Sequence, residues 1–223
     1  MHHITLRIHE GHLFVTIDGD DWLLDTGTPT SFGRKQSFKI EGLNFSIPSS
    51  YIGLTAAQLS GYVDHPTAGI IGADVLNNFD ILIDVKGEKV SFSTEQIALD
   101  GEPLEIAEFM GIPIVQANIS GADRRMFFDT GAQISYFQDE SLDTFPAAGV
   151  LTDFYPGIGN FQTETYWVNA TIGNLRYELR CGSLPGVLGM TLMMAGTEGI
   201  IGNEILHDRI VGYSPRRQML VIA

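Results

Sequence analysis

Two aspartates, Asp25 and Asp129, each follow an apolar stretch and precede a Thr-Gly pair. Residues 23–28 read Leu-Leu-Asp-Thr-Gly-Thr and residues 127–132 read Phe-Phe-Asp-Thr-Gly-Ala, so the copies are 104 positions apart. Two carboxylates held about 3 Å apart cannot both ionise easily, so they share a proton. One member of such a pair can act as a base on water while the other donates a hydrogen bond. The repeat therefore predicts two carboxylates that act together.

Each Asp-Thr-Gly is followed, later in its half of the chain, by a second matching segment. Residues 69–76 read Gly-Ile-Ile-Gly-Ala-Asp-Val-Leu, and residues 199–206 read Gly-Ile-Ile-Gly-Asn-Glu-Ile-Leu. A single Asp-Thr-Gly is common by chance in loops, but four landmarks in the same order indicate a duplicated unit. We expect one lobe over residues 1–100 and a second over residues 101–223, each contributing one carboxylate.

Short apolar segments, separated by turns that contain glycine or proline, predominate in both halves. A length of 223 residues allows either one large domain or two lobes of about a hundred residues each. Each Gly-Ile-Ile-Gly predicts a short buried strand followed by a short helix, which we place at residues 73–79 in the first half. Polar residues 95–106, with Gly101 and Pro103, mark the expected boundary. The predicted fold class is all-β, with two lobes related by a pseudo-twofold axis.

The second half contains about 28 extra residues shortly after its Asp-Thr-Gly. Residues 153–161 read Asp-Phe-Tyr-Pro-Gly-Ile-Gly-Asn-Phe, and alternating residues follow up to residue 168. This pattern predicts a β-hairpin with a glycine-rich, mobile tip. We expect such a hairpin in the second lobe only.

Composition excludes several classes of function. The net charge is −14 and the 13 Lys and Arg residues are scattered, which argues against nucleic-acid binding. No apolar run approaches 18 residues, so we expect no membrane span. The N-terminus lacks a basic region followed by an apolar stretch. Together with a single cysteine, Cys181, which we interpret as a small buried hydrophobe, this predicts a cytoplasmic protein.

Other motifs predict no cofactor and no metal site. His2, His3, His9 and His12 lack cysteines or fixed ligand spacing, so we interpret them as solvent-facing. The Gly157-Ile158-Gly159 segment lacks the third glycine of a dinucleotide fingerprint. Residues 187–194, rich in Leu and Met, could be core or the wall of a cleft, and the core interpretation is favoured.

On these residues the chain resembles the aspartic peptidases, and the retroviral (retropepsin) branch more than pepsin. The resemblance rests on the paired Asp-Thr-Gly and Ile-Ile-Gly segments, and residues 155–161 resemble a retropepsin flap tip. Retropepsins are homodimers of one lobe, whereas pepsins fuse two larger lobes. The chain resembles two fused retropepsin-sized lobes, which implies a monomer with a complete site. It departs from many retropepsins at Pro29 and Gln133, which replace an Asp, and at Ala73 and Asn203, which replace an Arg.

The resemblance implies a catalytic pair, Asp25 and Asp129, that activates water to hydrolyse peptide bonds of an extended polypeptide. It implies that Thr26 and Thr130 hydrogen-bond across the lobe interface. The other expected members of the active-site loops are Gly27, Thr28, Gly131 and Ala132. The expected substrate-binding flap residues are Tyr155, Gly157, Ile158, Gly159 and Phe161.

A hydroxyl residue after the glycine accompanies an acidic optimum in these families, and Ala accompanies a milder one. Because Thr28 and Ala132 differ in this way, we expect a mildly acidic optimum. Two alternatives stay open at the level of sequence. One is a peptide-binding module on the same fold that does not cleave, and the other is a lobe-type monomer that pairs with itself.

Overall fold

Short strands joined by tight turns make up most of both halves. The computed structural model describes residues 1–138, 140–155 and 158–223. In the first hundred residues the strands are β1 (His2–His9), β2 (His12–Ile17), β3 (Asp20–Leu24), β4 (Phe32–Gly33), β5 (Ser37–Ile40), β6 (Leu43–Ser46), β7 (Ser50–Tyr51), β8 (Leu54–Thr55), β9 (Gly69–Ile71), β10 (Asp80–Asp84) and β11 (Lys89–Ser93). Thereafter they are β12 (Glu102–Glu105), β13 (Ala107–Phe109), β14 (Ile112–Ile119), β15 (Ala122–Phe128), β16 (Ser135–Phe137), β17 (Ala147–Tyr155), β18 (Gly159–Ile172), β19 (Leu175–Gly182), β20 (Gly199–Ile201), β21 (Ile210–Ser214) and β22 (Met219–Ile222). The predicted all-β class is confirmed.

Helices are few and short. The α-helices are α1 (Ala56–Tyr62), α2 (Ala73–Leu76) and α3 (Gly186–Ala195), and 3-10 turns occur at Glu140–Thr144, Asn203–Leu206 and Pro215–Arg217. A one-turn helix therefore follows each Ile-Ile-Gly segment as predicted, although α2 ends at Leu76 rather than at residue 79. Among the described residues no helix is long and apolar enough to cross a membrane.

In each half an antiparallel pair leads into the Asp-Thr-Gly loop. In the first half, β2 pairs with β3, and β3 then runs parallel to β9, with Leu24 beside Ile71. In the second half, β14 pairs with β15, and β15 runs parallel to β20, with Phe128 beside Ile201. Parallel strands that lie side by side end at the same edge, so both aspartates emerge from a buried sheet edge.

The same backbone hydrogen bond holds both aspartates at that edge. The N–H of Asp25 donates to the carbonyl of Ile71 at 3.0 Å, and the N–H of Asp129 donates to the carbonyl of Ile201 at 3.0 Å. This repetition in three dimensions matches the repetition of the sequence landmarks.

The two halves also share one sheet. Its ten strands include β12, β21 and β22 from the second half beside β10 and β11 from the first, and β21 pairs with β10 through Val211 and Ile83. The expected boundary at residue 100 stays a prediction. The polar segment placed there contains strand β12, which pairs with β22.

Two helices were not predicted. Helix α1 begins at a capping box, in which the side chains of Thr55 and Gln58 each accept a hydrogen bond from the other residue's backbone N–H. Helix α3 covers the whole apolar run 187–194, and its residues Leu188 and Leu192 pack into a core cluster beside the cavity. Its residues Met190, Met193 and Met194 are exposed, so the core interpretation is wrong for these methionines. Apolar periodicity alone could not separate the two faces, because both are apolar.

Candidate active site

Asp25 and Asp129 meet at the floor of one cavity, with their carboxyl groups hydrogen-bonded to each other. Asp25 is buried and Asp129 is half-buried. The loops approach closely because each carries a glycine. A methyl group on Gly27 would overlap the Asp129 carboxyl group, and one on Gly131 would overlap that of Asp25. The structure thus brings together the two aspartates that the sequence singles out.

The threonines after the aspartates interlock the two loops. The hydroxyl of Thr26 accepts a hydrogen bond from the N–H of Thr130 at 3.0 Å and donates to the carbonyl of Phe128 at 2.7 Å. The hydroxyl of Thr130 accepts from the N–H of Thr26 at 3.0 Å and donates to the carbonyl of Leu24 at 2.8 Å. Both threonines are buried, so these bonds fix the separation of the aspartates.

The surroundings of the two carboxyl groups differ. Burial and then the charge of Asp25 raise the pKa of Asp129 well above its usual range, against backbone N–H donors from Gly131 at 2.8 Å and Ala132 at 3.3 Å. Burial also raises the pKa of Asp25, but the hydroxyl of Thr28, 2.7 Å from Oδ2, and its N–H, 2.8 Å from Oδ1, oppose this. Because Asp25 accepts the extra hydroxyl bond, the shared proton is favoured on Asp129.

A second duplicated contact supports each loop, and sequence reasoning missed it. The hydroxyl of Ser31 donates to the carboxylate of Asp74, and the hydroxyl of Ser135 donates to Glu204 at 2.7 Å. Each serine oxygen also accepts a backbone N–H, from Gly72 and Gly202 respectively. The available signal was a serine six residues after each aspartate, paired with an acidic residue after each Ile-Ile-Gly.

The predicted hairpin is present as β17 and β18, with Tyr155 opposite Gly159 in the register. Tyr155 and Phe161 line the cavity that contains the aspartates. Burial, followed by the charges of Asp129 and Asp25, raises the pKa of Tyr155 to about 12. Ile158 and Gly159 lie at the tip, where the N–H of Ile158 donates to the carbonyl of Tyr155 at 3.1 Å. Gly157 lies outside the described residues.

The long hairpin reaches the first half of the chain. Phe154 stacks on Tyr62 of helix α1, with ring centroids 5.3 Å apart and an interplanar angle of 18°. The hydroxyl of Tyr62 also lies beside Gly159. These contacts bridge the two halves beside the cavity, which Phe154 also lines.

The first half has a covering element of its own, although we expected one only in the second lobe. The short hairpin β7–β8 places Tyr51 and Ile52 in the cavity wall. The sequence does not reveal it because strands of two residues produce no alternating pattern.

A buried polar group lies beside the hairpin and was not predicted as part of the site. Tyr136 of β16 donates its hydroxyl to the carboxylate of Asp153 on β17, and both line the cavity. Nearby, His12 is buried, so the interpretation of this histidine as solvent-facing is wrong, and its Nδ1 lies 3.2 Å from the carbonyl oxygen of Gly131. Burial lowers the pKa of His12, although Asp153 and Asp25 oppose the shift. No sequence motif links these three residues, which come from distant segments.

The cavity has a volume of about 240 Å³ and mostly apolar walls, formed on one side by Ile70 and on the other by Phe127, Leu188 and Ile200. Among the described lining residues none is Lys, Arg or His. The described part of the chain contains no group of three or more His, Cys, Asp or Glu residues placed to hold a metal ion. The arrangement therefore supplies a proton-sharing pair of carboxyl groups within an apolar enclosure.

Comparisons with known proteins agree with this architecture at the level of fold. No family model matches the sequence, and no curated protein matches it. Among solved structures, an aspartic proteinase from Irpex lacteus is similar over 100% of this chain and 96% of that chain, with a TM-score of 0.57 and 10% sequence identity. The chain therefore has the two-lobed, all-β fold of a pepsin-like aspartic proteinase.

Proposed function

We propose that the protein is an aspartic endopeptidase that hydrolyses peptide bonds of an extended polypeptide. The observation that carries the proposal is the hydrogen-bonded pair of Asp25 and Asp129 at the floor of a cavity with apolar walls. Burial raises the pKa of both carboxyl groups, and the charge of Asp25 adds to this for Asp129. Two such groups with one proton form an acid and a base in contact. Strongly shifted carboxyl groups in a cleft are typical of catalytic sites.

In the proposed mechanism a water molecule between the aspartates is the nucleophile. Ionised Asp25 accepts a proton from the water, while protonated Asp129 donates a hydrogen bond to the scissile carbonyl oxygen. The water oxygen bonds to the carbonyl carbon. A proton then passes to the amide nitrogen as the carbon–nitrogen bond breaks, and this returns the pair to one proton. No metal or organic cofactor takes part.

The long hairpin acts as a flap over the bound peptide in this proposal. Tyr155 and Phe161 line the cavity, and the backbone of β17 and β18 offers hydrogen bonds to an extended chain. The paired Asp-Thr-Gly motifs and this hairpin support placement near the retropepsins. Because one chain carries both aspartates, we propose a catalytic monomer, which the mass in solution tests.

The peptide-binding alternative requires no proton-sharing pair. It predicts that substitution of an aspartate leaves the function intact, so one experiment separates the two. A complex peptide mixture is digested between pH 3 and pH 8 and read by mass spectrometry, with the Asp129→Asn variant alongside. An Asp100→Asn variant serves as the matched control, since Asp100 is exposed and outside the cavity.

We expect discrete cleavages from the wild type and the control, and loss of at least about a thousandfold in rate from Asp129→Asn. Equal cleavage by Asp129→Asn would contradict the proposal. Retention of peptides without cleavage at any pH would support the binding module instead.

A further inference from the structure

Several tight turns place a non-glycine residue in the left-handed region, where side chains are disfavoured. Asn, Asp and other polar residues are tolerated there best, whereas a β-branched residue is an outlier. The residues with positive φ in the described part of the chain are Glu10, Asp18, Glu41, Ile52, Asp64, Glu88, Met110, Ser120 and Gln218. All are polar except Ile52 and Met110.

The two apolar members of this set are also the two that line the cavity. Ile52 has φ 48° at the tip of the β7–β8 hairpin, and Met110 has φ 54° at the tip of the β13–β14 hairpin. Their exposed fractions are 63% and 67%, so core packing does not account for apolar side chains at these positions. Residues held in an unfavourable conformation beside a cavity point to a role in the site.

The internal duplication supplies a comparison for Met110. The Met110-Gly111 turn corresponds to the Glu10-Gly11 turn, and both have φ values near 50° and 80°. Each turn docks on the opposite half, since the side-chain amide of Asn77 donates to the Gly111 carbonyl at 2.9 Å and that of Asn203 donates to the Gly11 carbonyl at 2.8 Å. Yet Glu10 does not line the cavity, whereas Met110 does. Of these two equivalent turns, only the one that carries an apolar residue lines the cavity.

We propose that Ile52 and Met110 determine substrate specificity by binding apolar side chains of the polypeptide. The inference rests on the proposed function, and it adds which residues select the substrate and which class of side chain they select. Tyr51 and Phe109, the neighbours of these residues in the chain, also line the cavity and extend the apolar surface. Burying the exposed side chains against an apolar partner removes apolar area from water and favours that partner.

The test replaces each residue by Asn, which the left-handed conformation favours. Ile52→Asn and Met110→Asn relieve backbone strain, so we expect unfolding temperatures at or above that of the wild type. Ser120→Asn, at a remote turn of the same conformation, is the matched control. Should an Asn variant fail to fold, Ile52→Gly and Met110→Gly make the same test, because glycine also accepts positive φ.

The readout is cleavage of a library of extended peptides in which one position at a time is varied between Leu and Asn. For the double variant we expect the preference for Leu to fall about tenfold at the peptide positions that these side chains contact, mainly through KM. Preferences at the remaining positions, and all those of Ser120→Asn, stay unchanged. An unchanged profile, or an equal loss at every position, overturns the proposal.

A binding measurement separates failure of this inference from failure of the proposed function. The same peptides are titrated into two proteins that carry Asp129→Asn, one with and one without Ile52→Asn and Met110→Asn. Affinity is read by fluorescence anisotropy. We expect the Ile52→Asn and Met110→Asn substitutions to weaken the binding of Leu peptides about tenfold and to leave the binding of Asn peptides unchanged, whether or not the wild type cleaves. Equal affinities for both peptide types, or no binding of either, overturn it.

Discussion

Thr26 and Thr130 hydrogen-bond to each other across the interface between the two halves: each hydroxyl accepts a hydrogen bond from the other residue's backbone N–H at 3.0 Å. Each also donates to the carbonyl just before the opposite aspartate, at Phe128 and at Leu24. Neither loop therefore satisfies its buried polar groups within its own half. The geometry of the aspartate pair depends on the halves being joined.

Thr130→Val removes the hydroxyl and leaves the Thr26 N–H and the Leu24 carbonyl without their partners. We expect a loss of roughly 2–4 kcal/mol in the free energy of unfolding, because buried unsatisfied groups are costly. Urea denaturation measures it. Thr130→Ser keeps the hydroxyl and is expected to lose much less; equal losses for the two variants would show that the methyl group, not the hydroxyl, matters.

Asp129→Asn is expected to change the pH dependence of stability. The folded-state pKa of Asp129 is raised above its unfolded value, so its contribution to stability is present in acid and is lost as pH rises through the folded pKa. Asn cannot ionise. The variant should therefore gain stability relative to the wild type as pH rises above the ordinary Asp range near about 4. Thermal melts across pH measure the difference, and a constant difference contradicts the assignment.

Thr28→Val removes the hydroxyl donor to Asp25 and keeps the size of the side chain. Because that bond favours the ionised carboxylate, its loss raises the pKa of Asp25 further. The proposed base is ionised only above this pKa, so the acid limb of the rate profile should move to higher pH. Measurement of kcat against pH checks the direction, and a shift toward acid is the contrary result.

Ala132→Thr provides the converse experiment, since it offers Asp129 the hydroxyl that Asp25 already has. A lower pKa of Asp129 means loss of the shared proton at lower pH, so the alkaline limb should move toward acid. The acid limb should stay in place. Movement of the alkaline limb toward higher pH would contradict the roles assigned to the two aspartates.

Tyr136→Phe tests the hydrogen bond between Tyr136 and Asp153, which joins β16 to strand β17 of the long hairpin. The substitution removes the hydroxyl that donates to buried Asp153, whose carboxylate keeps the backbone N–H of Phe154 as a donor. We expect a loss of about 1–3 kcal/mol in the free energy of unfolding, measured in urea. The Asp153→Asn, Tyr136→Phe double variant should recover part of this loss, because no charge is then buried. An additive loss contradicts direct coupling.

The sequence by itself determined the all-β class, the aspartate pair and the long hairpin. These features depend on local patterns: a strand that ends in Asp-Thr-Gly, a turn with glycine, and alternation over neighbouring residues. Because both halves repeat the same landmarks in the same order, the pairing of Asp25 with Asp129 required no knowledge of the packing.

Only the tertiary structure decided which other residues share the cavity. Tyr136 and Asp153 come from different strands, and the tips that carry Ile52 and Met110 come from different halves. Likewise, β21 returns from the end of the chain to pair with β10, and one face of α3 lines the cavity while its methionines face outward. Periodicity reports which residues of one element share a face, but not what that face meets. Those contacts are set by long-range strand pairing and packing.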